Sequence, residues 1–160
     1  MSEPIEHGGG WYRPCVGIML VNSEGKLFAG QRIDRDEPAW QAPQGGIDKS
    51  ETPRVAAFRE LQEEIGVGFA QVELLRETSD WVFYDFPDAV ASSRWSGRFS
   101  GQAQKWFLMR LTESDDAINI ATDHPEFSEW RWMGAQDLLD AIIGFKRDSY
   151  RAVLSEFGLI

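Results

Sequence analysis

The 160-residue chain predicts an α/β (α+β) fold, a mixed β-sheet held between helices. Three observations carry this expectation. Apolar strand-like runs separated by turn residues fill the first third, one amphipathic helical pattern follows, and apolar residues three and four apart close the chain. An early hairpin, a central helix, further strands and closing helices give each face of a sheet something to pack against.

The elements follow in chain order. Cys15–Val21 and Lys26–Gln31 are apolar and strand-like, and Asn22-Ser23-Glu24-Gly25 between them has the chemistry of a hairpin turn. Glu51 to Ile65 reads as a helix, because Pro53 suits a first helical turn and Gly66 suits a helix stop. Further strands are expected at Val72–Thr78, Trp81–Phe86, Lys105–Leu111 and Phe127–Met133. The last helical region carries Leu138, Leu139, Ile142 and Ile143, then Tyr150, Val153, Leu154 and Phe157. With no repeat, low-complexity tract or linker, residues 1–160 read as one domain, with 1–10 as a flexible N-terminal extension.

Composition narrows the function. Hydrophobic residues make up 42% and charged residues 26%, the balance of an ordinary globular chain. The single cysteine, Cys15, excludes a disulfide framework and a cysteine-only zinc cluster, and fits a reducing cytoplasm. No apolar run approaches the roughly 18 residues of a membrane span, so no membrane partner is expected. The net charge of −10 argues against broad gripping of a nucleic-acid backbone, and DNA is not an expected partner. One segment departs from this acidity: Ala91 to Thr112 holds Arg94, Arg98, Lys105 and Arg110 and no acid.

The helix 51–65 carries the chemistry. At about 100° per residue, Val55, Phe58, Leu61 and Ile65 fall on one side, and Glu60, Glu63 and Glu64 on the roughly opposite one. Like charges three and four apart cost about 0.2–0.5 kcal/mol per pair, and Arg59 offsets only part of that repulsion. A divalent cation would remove the rest, and carboxylate oxygens are the ligands magnesium and manganese prefer. Around the helix the string reads Gly45, five residues, Glu51, seven residues, then Arg59-Glu60-Leu61-Gln62-Glu63-Glu64-Ile65-Gly66-Val67. Seven identities and two aliphatics match by chance with a probability on the order of 10⁻⁷ in a chain this long.

This string resembles the Nudix box at every fixed position. The resemblance implies a Nudix α/β/α sandwich with a mixed sheet and the hydrolysis of a nucleoside diphosphate linked to another group. It implies magnesium, with manganese or zinc as substitutes, held by Glu60, Glu63, Glu64 and the carbonyl of Gly45. Arg59 would orient a neighbouring glutamate, and Glu60 would take part in catalysis. Metals neutralise the pyrophosphate and acidify the attacking water.

The likeness extends through Tyr12-Arg13-Pro14, Trp40-Gln41, Pro43-Gln44-Gly45-Gly46, Gln104-Lys105-Trp106-Phe107-Leu108, Pro125-Glu126-Phe127, Trp130-Arg131-Trp132 and Phe145-Lys146-Arg147-Asp148. Together these resemble the bacterial RNA pyrophosphohydrolases and the similar dinucleoside polyphosphate hydrolases. That branch implies a cytoplasmic monomer that removes pyrophosphate from 5′-triphosphorylated RNA ends, initiating mRNA decay, and cleaves dinucleoside polyphosphates such as diadenosine tetraphosphate. Either substrate could be the main one, and a nucleotide-binding module without turnover is the contrasting class. By resemblance, Arg13, Arg32 and Lys105 contact phosphate, and Phe145 with Ile143 forms a shelf for the first base. Tyr84 and Trp40 lie near the ligand, and Glu126 supplies a further metal-ligating or water-activating carboxylate. Pro87 to Gly101 and the turn Asp34 to Ala39 look longer than the branch pattern, and both are expected beside the substrate.

Overall fold

The structure, a computed structural model, describes residues 1–87 and 98–160; Arg94 and most of the expected long segment 87–101 fall outside that range. One mixed nine-stranded sheet organises the chain. Strands β1 (Ile5–His7), β2 (Gly10–Val21), β3 (Leu27–Arg32), β4 (Trp40–Gln41) and β5 (Gln44–Gly46) precede helix α1 (Pro53–Ile65). After it come β6 (Val72–Glu77), β7 (Val82–Asp85), β8 (Gly101–Leu111) and β9 (Phe127–Met133), then α2 (Ala135–Ala141) and α3 (Arg147–Glu156). The central path runs β4-β3-β2-β8-β6, with β2 and β8 parallel and the other pairs antiparallel.

Alternation along the two central strands builds the two faces. Val16, Ile18 and Leu20 of β2 with Phe107 and Met109 of β8 pack against Ala57, Leu61 and Ile65 of α1. Met19, Trp106 and Leu108 point the other way, onto Leu138 and Leu139 of α2 and Tyr150, Val153 and Leu154 of α3. Burying each such side chain contributes about 1.5–3 kcal/mol. The result is the α/β/α sandwich expected from periodicity. Among the described residues, no helix is long and apolar enough to cross a membrane.

Local chemistry fixes the ends of α1. The Thr52 hydroxyl accepts a hydrogen bond from the Val55 N–H at 3.2 Å, and Pro53 opens the first turn. Gly66, at φ 72°, closes the helix in the left-handed conformation glycine tolerates best. The helix is rotated from the sequence expectation. Val55 is exposed and Glu64 is buried, because the small residues Ala56 and Ala57 let the helix lie close to the sheet.

Two further expectations need correction. Residues 1–10 are not simply a flexible extension: Ile5–His7 pairs with β2 across a two-residue turn whose glycines, Gly8 and Gly9, both have positive φ. His7 then stacks on Phe83 at 3.8 Å between ring centres. The C-terminal helical region is broken after Ala141, where Ile142 turns extended and Gly144–Lys146 forms a single 3-10 turn. That break aims Phe145 and Lys146 back toward the sheet.

Candidate active site

A cleft of about 350 Å³ opens where the start of β2, the β5 strand and the flank of α1 meet the 3-10 turn. Its walls bring together Gly45, Glu60, Glu63, Glu64, Glu126, Arg13, Arg32, Tyr84 and Phe145, nine of the residues singled out in the sequence. A larger groove of about 820 Å³ lies at the other end of β2 and β8, between Asn22 and Asp116, and contains none of them.

Arg59 does not line the cleft but organises it from behind. Its guanidinium donates to both oxygens of Glu51 (2.6 and 2.9 Å), to Glu60 (2.8 Å), to Glu63 (3.2 Å) and to the Gly46 carbonyl (2.9 Å). This fork ties the helix to the β5 loop, and a lysine has no geometry to replace it. The same bonds hold the Glu51 carboxyl below the ordinary carboxylate range.

Glu60 and Glu64 sit in the opposite situation. Glu64 is 6% exposed, and its Oε2 accepts the Gln44 N–H at 3.0 Å. Burial pushes its pKa well above the usual carboxylate value, and the charges of Glu60, Glu126 and Glu63 add to the shift. Burial likewise raises Glu60, with Arg59 opposing. Glu63 is the exposed member.

These carboxylates and the backbone carbonyls beside them are hard oxygen donors with negative charge that Arg59 only partly offsets, which fits a magnesium-like cation. Among the described residues, no three His, Cys, Asp or Glu groups are already gathered round one point. Glu60 instead turns one oxygen onto Arg59.

The same cleft wall also carries Arg13, Arg32, Arg35 and Lys146. Arg32 is forked onto Asp34 at 3.0 and 2.6 Å. Beyond them Phe145 packs on Tyr84, with ring centres 5.8 Å apart, over a small cluster of Tyr84, Phe86 and Phe99.

Three expected residues are elsewhere. Lys105 donates to the Ser79 carbonyl at 3.1 Å and lies over Trp81, in a separate depression near Thr52 and Arg54. The reason is strand alternation: Gln102, Gln104 and Trp106 are hydrogen-bonded to one another on the cleft face, so Lys105 points to the α1 face. Trp40 is buried in the core with the Arg131 guanidinium 4.0 Å above its ring. Ile143 does not line the cleft; it caps the 3-10 turn, and its carbonyl accepts the Lys146 N–H.

The sequence reading gave no role in the site to Lys146, Arg35, Gln41, Gln44 or Gln102, all on the cleft wall. Lys146 is 4% exposed, its ammonium 3.4 Å from the Gln41 amide oxygen and about 6 Å from the Tyr84 and Phe145 ring centres. Its neighbour Phe145 was a signal, but nothing in the string tells Lys146 from Arg147.

Known proteins share both the sequence and the fold of this chain. The NUDIX domain profile matches residues 11–153. The RNA pyrophosphohydrolase of Roseobacter denitrificans is 56% identical over 146 residues, 91% of either chain. That of Cereibacter sphaeroides is 52% identical over 157 residues, 98% of this chain and 97% of the relative. Among solved structures, the Escherichia coli dihydroneopterin triphosphate pyrophosphohydrolase superposes with a TM-score of 0.71 at 18% identity, covering 91% of this chain and 98% of that one. An Ap4A hydrolase binary complex from Caenorhabditis elegans gives 0.64 at 16% identity, covering 91% and 99%. These two likenesses show the fold. The chain belongs to the NUDIX domain family, alongside relatives named RNA pyrophosphohydrolase.

Proposed function

We propose that this chain removes pyrophosphate from the 5′-triphosphate end of RNA, and that the cleft between α1 and the 3-10 turn performs the reaction. One observation carries the reading: four acids and four cations line one cleft together with the aromatic ring of Phe145. A polyphosphate fits the cations, a divalent cation fits the acids, and a nucleobase fits the ring.

Glu60, Glu63, Glu64 and Glu126, with the Gly45 carbonyl, would hold magnesium, or manganese or zinc in its place. When bound, the cation supplies charge neutralisation and a more acidic water. Arg13, Arg32 and Lys146 hold the phosphates. Phe145, backed by Tyr84, stacks the first base, a contact worth about 1–3 kcal/mol whatever the base. Water attacks phosphorus, the anhydride P–O bond breaks, and pyrophosphate leaves behind a 5′-monophosphate. The water's proton passes to Glu60 or Glu126, while Arg59 keeps Glu60 in place. All of these groups come from one chain, so a monomer suffices, and an RNA substrate fits an enzyme of the cytoplasm.

Dinucleoside polyphosphates offer the same nucleoside 5′-polyphosphate and need no contact with an RNA backbone, which suits a chain of net charge −10. The deciding experiment compares kcat/KM on 5′-triphosphorylated RNA and on diadenosine tetraphosphate side by side. A kcat/KM at least equal on the RNA is expected; a large excess for the dinucleotide would make that the primary substrate.

A further inference from the structure

The turn between β3 and β4 is built to present a cation. Gln31, at its base, is 8% exposed. Its amide nitrogen donates to the Glu37 carbonyl at 2.9 Å, and more weakly to those of Arg32 and Arg35. Its amide oxygen accepts the Ala39 N–H at 2.8 Å. One buried side chain thus satisfies backbone groups along the whole turn, and a buried amide whose partners are all loop backbone fixes that loop's shape. The Ile33 N–H also donates to the Glu126 carbonyl at 2.9 Å, which fastens the turn to the carboxylate side of the cleft.

Arg35 stands on this turn and lines the same cleft as Glu60, Glu63 and Glu64. Its commitments differ from those of its neighbours. Arg59 spends its donors on Glu51, Glu60, Glu63 and Gly46, and Arg32 is forked onto Asp34. Among the described residues, the Arg35 side chain makes one hydrogen bond, from Nη1 to Glu37 at 3.1 Å, so Nε and Nη2 keep their protons for a ligand. A guanidinium with two parallel donors matches two oxygens of a phosphate.

We infer that Arg35 binds a phosphate at the carboxylate end of the cleft, that Gln31 is the positioning residue that presents it, and that this pair makes affinity depend on the number of phosphates. The inference rests on the polyphosphate reading above and extends it to the turn between β3 and β4. Arg35 adds a contact that a long polyphosphate reaches and a single phosphate does not.

The test uses the full chain with magnesium and titrates inorganic triphosphate and inorganic monophosphate by calorimetry into wild type, Arg35→Gln and Arg35→Lys. One charge-assisted bond is worth about a factor of ten in affinity. Arg35→Gln should therefore bind triphosphate about tenfold more weakly, bind monophosphate within about twofold of wild type, and melt at the wild-type temperature. Arg35→Lys should recover part of the loss. Gln31→Leu should weaken triphosphate binding in the same direction while Arg35 is still present. Triphosphate binding unchanged in Arg35→Gln, or weakened together with melting temperature, would overturn the assignment. A wild type that binds triphosphate through Arg35 yet cleaves neither RNA ends nor dinucleotides would refute the proposed reaction and leave Arg35 standing. A wild type that does not bind triphosphate refutes both.

Discussion

Gly45 and Glu60 are in direct contact: the glutamate's carboxyl group occupies the space that a side chain on Gly45 would fill. Glu60 cannot swing away freely, because Arg59 holds it from behind. Gly45→Ala should therefore leave the fold intact and displace the carboxylate. A shift of about 1 Å in a positioned group costs on the order of 10²-fold in rate, so kcat should fall by about that factor. Circular dichroism and kcat at saturating magnesium check it; an alanine variant with wild-type turnover would show that Glu60 need not stay where it is.

Buried Glu64 should destabilise the metal-free protein as pH rises. Its folded-state pKa lies above its unfolded value, so its unfavourable contribution is absent below the ordinary carboxylate value of 4.5 and grows as pH climbs through the folded pKa. Glu64→Gln keeps an oxygen to accept the Gln44 N–H and loses the charge. In chelator the variant should melt above wild type at pH 8, with the gap closing toward pH 4.5. Equal melting curves at every pH would mean the site does not raise this carboxyl.

The exposed acid of the group separates cation binding from a merely solvated helix face. Glu63→Gln should match wild type or melt slightly higher in chelator, since among the described residues its one side-chain partner is Arg59 at 3.2 Å. For a cation at a hundredfold excess over its Kd, wild type should gain about 2.7 kcal/mol of stability. The variant should gain less, and its kcat should fall by orders of magnitude. Identical magnesium-induced melting shifts in the two proteins would remove Glu63 from the ligand set.

The two lysines near the cleft should behave oppositely. Lys146→Gln removes the ammonium from the cleft wall, so KM for either substrate should climb about tenfold, the worth of one charge-assisted contact. Lys105→Ala removes a contact with Ser79 and Trp81 outside the cleft, and kcat/KM should stay within about twofold of wild type. The reverse pattern would mean that the substrate enters from the α1 face.

Much of this protein is written locally. The alternating runs of β2, β3, β8 and β9, the Thr52-Pro53 start and Gly66 stop of α1, and the box from Gly45 to Val67 are signals within a few residues of one another, which is why they can be read from the string. The Gly8-Gly9 turn was legible too, since paired glycines are a strong hairpin signal, although the expectation there was a flexible extension.

Tertiary structure decided the rest, because a side chain's direction depends on what packs against its element. Periodicity placed three glutamates on the side of α1 opposite its apolar residues, but only docking on the sheet, close over Ala56 and Ala57, made Glu64 buried and left Glu63 in water. Lysine at 105 opening an apolar strand and lysine at 146 in a broken helix look equally plausible as phosphate contacts. The strand's period of two sends Lys105 to the α1 face, and the break at Ile142–Gly144 turns Lys146 into the cleft. Neither sense of direction exists until the sheet has two covered faces, so the sequence determined which chemistry the chain carries, and packing determined which residues meet to perform it.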